Sequence, residues 1–205
     1  MGRLVTSAPT RRQQQAAETR ALVLEAATAL FAERGWAATG MREIATRAGV
    51  AVQTVYGGFA SKGDVLLAAL DVGVAGDTRA VPMAERAEFA ALAVGSLGDR
   101  TAAAARMLAG VHQRTWGLRR ALNEGAGGDP LLEAKRQDLQ SRRRDDVRQG
   151  AELIVDGEVD VDVLDALWVV TDVDAFDLVT RVGGRSLEDY ERWLAATIHR
   201  LLDQR

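Results

Sequence analysis

Residues 57–63 read Gly-Gly-Phe-Ala-Ser-Lys-Gly, glycines beside a serine and a lysine, which are the ingredients of a phosphate-binding loop. A nucleotide loop of that kind needs glycine directly before the lysine, Ser or Thr directly after it, and a strand leading in. Here Ser61 precedes Lys62, Gly63 follows it and no strand pattern comes before, so a nucleotide site is set aside and Lys62 stays as a cation in search of another phosphate. The chain has no cysteine and two histidines, His112 and His199. Only His199 has a ligand-type residue at helical spacing, Asp203 at i+4, and such a pair near a chain end reads as helix-end electrostatics before it reads as a metal site. No nucleophile–base pair and no cofactor motif is found, so neither an enzyme nor a cofactor or metal is expected.

The charge that could serve phosphate chemistry is unevenly placed. Net charge is −3 over 205 residues, yet residues 1–62 hold eight Lys/Arg and four Glu and carry +4, while the remainder carries −7. A basic end on an acidic body is what a protein needs when one end meets a polyanion. Hydrophobic residues make up 47% and charged residues 27%, an ordinary globular balance. No apolar run approaches the roughly 20 residues of a membrane span, and the first residues lack the apolar core of a secretory signal. Without cysteines as well, a cytoplasmic protein is expected.

The elements that position the basic end are helices. Residues 1–16, with Pro9 and a Gln run, read as a tail. From Thr19, Leu22, Val23, Ala26, Ala27, Leu30 and Phe31 form one apolar face, and Gly35 ends that helix. A short second helix is expected from Met41, facing inward with Met41, Ile44, Ala45 and Ala48, capped by Gly40 or Thr39. Gly49 makes a turn into a third short helix from about Val52 to Gly57. Two short helices joined by a Gly-containing turn form a helix-turn-helix, whose second helix is sized for the DNA major groove. Val50, Val55 and Phe59 would point inward, leaving Val52, Gln53, Thr54 and Tyr56 for solvent or DNA. A connecting helix from Lys62 to about Arg79 follows, and then helices near 83–95, 99–123, 130–155, 161–182 and 186–204, separated by Gly-rich breaks. The fold class is all-α: a helix-turn-helix domain at 17–62, then a larger helical domain at 63–205.

Residues 19–70, "TRALVLEAATALFAERGWAATGMREIATRAGVAVQTVYGGFASKGDVLLAAL", closely resemble the N-terminal domain of the TetR family of transcriptional regulators. The resemblance rests on the LFAERG helix end, the MREIA core, the AGV turn and the T-x-Y-x-x-F-x-S-K run. The stretch from Leu167 to Leu202 also looks like the last two helices of many members. The resemblance implies a homodimer joined through those two helices, two reading helices addressing a palindromic operator, and a small-molecule effector that releases a repressor. By position, it implies that Arg42 meets guanine, whose O6 and N7 match a guanidinium fork. Val52 and Gln53 fall at the variable base contacts, and Thr39, Thr54, Tyr56 and Lys62 at backbone phosphates. The sequence departs from the pattern at Gly40, Ala51, Gly57-Gly58 and Gly63, each removing a possible polar contact to the DNA backbone.

In the larger domain, Met107, Val111, His112 and Trp116 could line a cavity for an apolar effector with one polar group. The run Ser141–Arg148 reads as a solvated face with i,i+4 ion pairs. Two other classes stand behind the DNA-binding regulator: a helical module that reads DNA poorly, motivated by the four departures, and an enzyme.

Overall fold

The computed structural model describes residues 10–76 and 86–203, and the described residues form helices joined by short turns, with no strand among them. Helix α1 spans Arg11–Arg34 and begins well ahead of Thr19 because Thr10 and Gln13 make a reciprocal cap: Gln13 N–H donates to Thr10 Oγ1, and Thr10 N–H to Gln13 Oε1. The expected tail is therefore helical from Arg11 onward. Its apolar stripe is also turned slightly from the expected one, with Leu24 buried and Leu22 half exposed. Gly35, at a φ of 74°, ends the helix.

Helix α2 (Met41–Ala48) starts at Gly40 with no side-chain cap, and Gly49 closes it in the left-handed conformation. The Val50 N–H then donates to the Ala45 carbonyl, fixing the turn into α3 (Val52–Gly58). Helix α4 (Lys62–Ala75) is capped by Ser61, whose hydroxyl accepts from the Asp64 N–H. It ends at Ala75, where Gly76 takes up the left-handed conformation and its N–H closes on the Val72 carbonyl; residues 77–79 of the expected span lie outside the described residues.

In the larger part, a short α5 (Ala87–Ala90) and a 3-10 turn (Ala91–Ala93) replace the longer helix expected over 83–95, of which residues 83–85 lie outside the described residues. Helix α6 (Leu97–Ala126) has 30 residues, about 45 Å of helix. Helix α7 covers Pro130–Val155. The single helix expected over 161–182 is divided. Helix α8 (Val161–Val170) ends, Asp172 caps a new start by accepting from the Asp174 N–H, and α9 (Val173–Phe176) runs on into a π-helical turn over Asp177–Val182. Helix α10 (Leu187–Leu202) closes the described fold and buries Tyr190, Leu194, Ile198 and Leu202.

Two apolar cores result, and α6 belongs to both. The N-terminal core gathers Leu30 and Phe31 of α1, Ile44 of α2, Val55 of α3 and Leu66 and Leu70 of α4, together with Leu118 and Leu122 of α6. It thus continues past residue 62 into α4 and α6. The second core joins Ala105 and Ala109 of α6 to Ile154, Leu167, Phe176 and the buried face of α10.

Candidate DNA-binding interface and ligand cavity

The turn Gly49-Val50 and the burial of Val55 and Phe59 decide which side of α3 is exposed. Gln53, Thr54 and Tyr56 stand on that exposed side, Tyr56 with 56% of its surface open. Arg42, at the first turn of α2, is also exposed, and its guanidinium makes no hydrogen bond or ion pair among the described residues. An amide, two hydroxyls and a forked cation on one head supply donors for base edges and phosphate oxygens alike.

Three of the expected DNA contacts are placed otherwise. Thr39 is buried, and its hydroxyl donates to the Gly35 carbonyl at 2.8 Å, so it closes the α1–α2 turn instead of facing outward. Lys62 donates from Nζ to the Trp36 carbonyl at 2.7 Å, with Nζ 3.8 Å from the centre of the Trp36 ring. Burial pulls its pKa below the ordinary lysine value, opposed by the charge of Glu43. Val52 is half-buried and packs against the N-terminal core. Gly57 and Gly58 are exposed, and a Cβ built on either meets no atom within 4 Å. The neighbouring surface is occupied by Arg20, whose guanidinium lies 4.3 Å from the Phe59 ring centre and donates to the Gly58 carbonyl at 3.4 Å.

The head is fastened to α6. Trp36 N–H donates to Glu124 Oε2 at 2.7 Å, and Arg120 donates to the Ala32 carbonyl at 3.1 Å. Gly117 lets the two helices approach so closely that a Cβ there would stand 2.6 Å from Ala32 Cα. From α4, the Gly73 carbonyl accepts from Arg114 Nε at 2.8 Å.

The other half of α6 lines a cavity of about 360 Å³ with α7, α10 and the α8–α9 junction. Met107, Val111 and His112 all face it, as the spacing suggests, but Trp116 does not. Its ring packs under Arg181, 3.9 Å from ring centre to guanidinium carbon, because the cavity-facing stripe of α6 runs on through Thr115 and Arg119. Those two positions follow His112 at i+3 and i+7, the spacing that could have found them. The His112 Nδ1 lies 2.9 Å from the Tyr190 hydroxyl. Burial lowers the His112 pKa to about 4, with Arg143 adding to the shift and Asp172 opposing it, so the ring is neutral near pH 7. Burial also raises the Tyr190 pKa.

The run from Ser141 to Arg148 is only partly a solvated face. Arg142 pairs with Asp138 at i,i+4, but Arg143 reaches inward to Asp172 at 2.9 Å and to the Trp168 carbonyl at 2.6 Å. No group of three or more metal-ligating side chains occurs among the described residues, and none of their helices is long and apolar enough to cross a membrane.

These features define a helix-turn-helix DNA-binding protein with a helical body. Residues 23–69 match the model of bacterial regulatory proteins of the tetR family, and that match supports a regulator of the TetR family. No curated protein matches the sequence. Among solved structures, a protein of Pseudomonas aeruginosa PAO1 assigned as a transcriptional regulator superposes with a TM-score of 0.65 at 15% identity, covering 99% of this chain and 97% of that one. A protein of Mesorhizobium loti MAFF303099 assigned to the TetR family of transcriptional regulators superposes with a TM-score of 0.60 at 20% identity, covering 95% and 98%. At such identities the likeness is one of fold.

Proposed function

We propose that the chain works as a homodimeric repressor, holding a palindromic operator until a small molecule enters the α6–α7–α10 cavity. The observation that carries this reading is the double membership of α6. One end of the helix buries Leu118 and Leu122 beneath the DNA head, while Met107, Val111 and His112 face the cavity. A ligand that favours a shifted α6 therefore acts on the head through Glu124–Trp36 and the Ala32–Gly117 contact, and through α4, whose Val74 also reaches the cavity. To release DNA it must bind the shifted state more tightly than the DNA-competent one.

Dimerisation is supported by apolar surface near the C-terminal end. Val161 and Val169 of α8 and Leu178 and Val182 of the π-helical turn are exposed, a set that a second copy would cover through α8 and α10. Arg42 and Gln53 are the residues we assign to base edges, with Thr54 and Tyr56 at phosphates. The inward placement of Thr39 and Lys62 favours a second reading, a head of the same fold that holds DNA weakly.

Selection of bound fragments from random DNA by the full chain tests both. Enrichment of an inverted repeat, with affinity that falls as salt rises, supports the repressor reading. Binding without enrichment leaves the second, and a candidate ligand that binds equally well with and without operator removes the coupling.

A further inference from the structure

Arg119 is the cavity's unmatched cation. It lines the cavity from α6, it is partly buried, and its guanidinium makes no hydrogen bond or ion pair among the described residues. Among the cavity's cations it is the one without a partner. Arg143 is held by Asp172, by the Trp168 carbonyl and by the Thr171 hydroxyl. His112 is neutral near pH 7 and lies against Tyr190. Asp146 also lacks a partner but lies open to solvent, and desolvation together with Asp145 pushes its pKa up. Asp172 and Asp174 attract Arg119 through space, while Arg136 repels it. Much of the remaining wall is apolar, including Leu92, Leu108, Leu139, Ile154, Leu167 and Ile198.

A partly buried guanidinium with no protein partner leaves its donors to a ligand or to water, and a carboxylate offers it two parallel hydrogen bonds. We propose that the cavity's ligand is an organic acid anion: an apolar body of a size for about 360 Å³, with one carboxylate seated on Arg119. The inference rests on taking the cavity as the ligand site and adds the chemistry of what fills it. The apolar walls give the body its burial, and the fork of Arg119 discriminates acids from alcohols and amines of the same length. Asp172 stays with Arg143, so the acid takes an arginine that has no partner to give up.

The test is calorimetric titration of the full chain, without DNA, with two matched series: octanoate, octanol and octylamine, then 4-phenylbutyrate, 4-phenylbutanol and 4-phenylbutylamine. In at least one series the acid is expected to bind tenfold or more tightly than its alcohol and amine. Arg119→Met should abolish that margin and leave the alcohol within about threefold, because the apolar walls are untouched. The head-group comparison on the native chain stands without any variant, should Arg119→Met melt at low temperature. An alcohol that equals its acid, or an acid preference that survives in folded Arg119→Met, overturns the proposal. So does an amine that binds best and loses that margin in Asp146→Asn. In each case binding persists, so the cavity remains a ligand site and only the acid assignment falls. Failure of all six compounds to bind would overturn the assignment together with the ligand-site reading beneath it.

Discussion

Lys62 Nζ lies 2.7 Å from the Trp36 carbonyl oxygen and 3.8 Å from the centre of the same residue's ring. The Trp36 ring in turn stacks on Phe31, 6.0 Å between centres, so the lysine caps an aromatic pair at the edge of the N-terminal core. A cation in that position holds the α1–α2 turn to the start of α4. Lys62→Met keeps the stem and removes the charge. It should lower the stability of the chain by on the order of 1–2 kcal/mol, from one hydrogen bond and one cation–π contact. The salt dependence of DNA binding should not change. Thermal melting reads the first, and operator titrations at several salt concentrations read the second. A slope smaller by about 0.9 would instead return Lys62 to a phosphate.

Gly117 makes a sharper demand. Its missing side chain leaves room for the α1 backbone at Ala32, and the obstruction to any Cβ is main chain that cannot swing aside. Gly117→Ala replaces a poor helix former by the best one, a gain of about 1 kcal/mol if nothing else changed. The overpacking works against that gain, with a cost of about 1–3 kcal/mol. Net destabilisation is expected in denaturant titrations, with weaker operator binding as α1 is pushed off α6. A more stable variant with normal DNA binding would show that the helices can separate there without consequence.

How far the sequence carried depended on how local each signal was. The head was legible because its signals are short: the inward set Met41, Ile44 and Ala45, the left-handed Gly49 turn, and Val55 with Phe59 all occur as the spacing requires. Pro130 at the first turn likewise set the start of α7, with Asp129 as its cap. Most of what failed was long-range. Lys62 looks like a phosphate ligand in the sequence, and only the distant Trp36 carbonyl turns it inward, whereas Thr39 bonds back to the nearby Gly35 carbonyl within its own turn. The phase of the cavity-facing stripe was right at Met107, Val111 and His112 but drifted a residue later, giving Trp116 in place of Thr115 and Arg119. Arg143 was lost in a charged run because nothing local marks which of three successive arginines meets Asp172. The break at Thr171 was missed although Asp172, with the Asp174 N–H to accept, is an ordinary cap.

Gly57 is the position where the sequence departs from the family pattern at least structural need. It lies inside α3 with ordinary helical backbone, and a Cβ there meets open space. Gly57→Ala should therefore stabilise α3 by about 0.5–1 kcal/mol through backbone entropy alone. Hydrogen exchange of the α3 amides would report slower opening, and operator affinity should hold or rise. Loss of operator binding with unchanged folding would reveal that DNA passes too close to Gly57 for a methyl group.

His112 gives the body a pH dependence that can be separated from that of the head. Its folded pKa is about 4, against about 6.5 for an unfolded histidine, because burial beside Tyr190, Phe176 and Arg143 disfavours the charged ring. Between those two values the unfolded chain binds the extra proton and the folded chain does not, so stability rises with pH across this window and falls as the pH drops from 6.5 toward 4. The loss attributable to His112 should reach on the order of 3 kcal/mol by the lower end. His112→Gln removes the titrating group and should flatten the melting temperature between pH 6.5 and 4.5, even where the variant is less stable throughout. Above pH 7 the native chain should show no dependence from this residue, since the ring is then neutral in both states. Parallel slopes in native and His112→Gln chains between pH 6.5 and 4.5 would mean that the ring is protonated in the fold as readily as in water, and that the His112–Tyr190 pair is open to solvent.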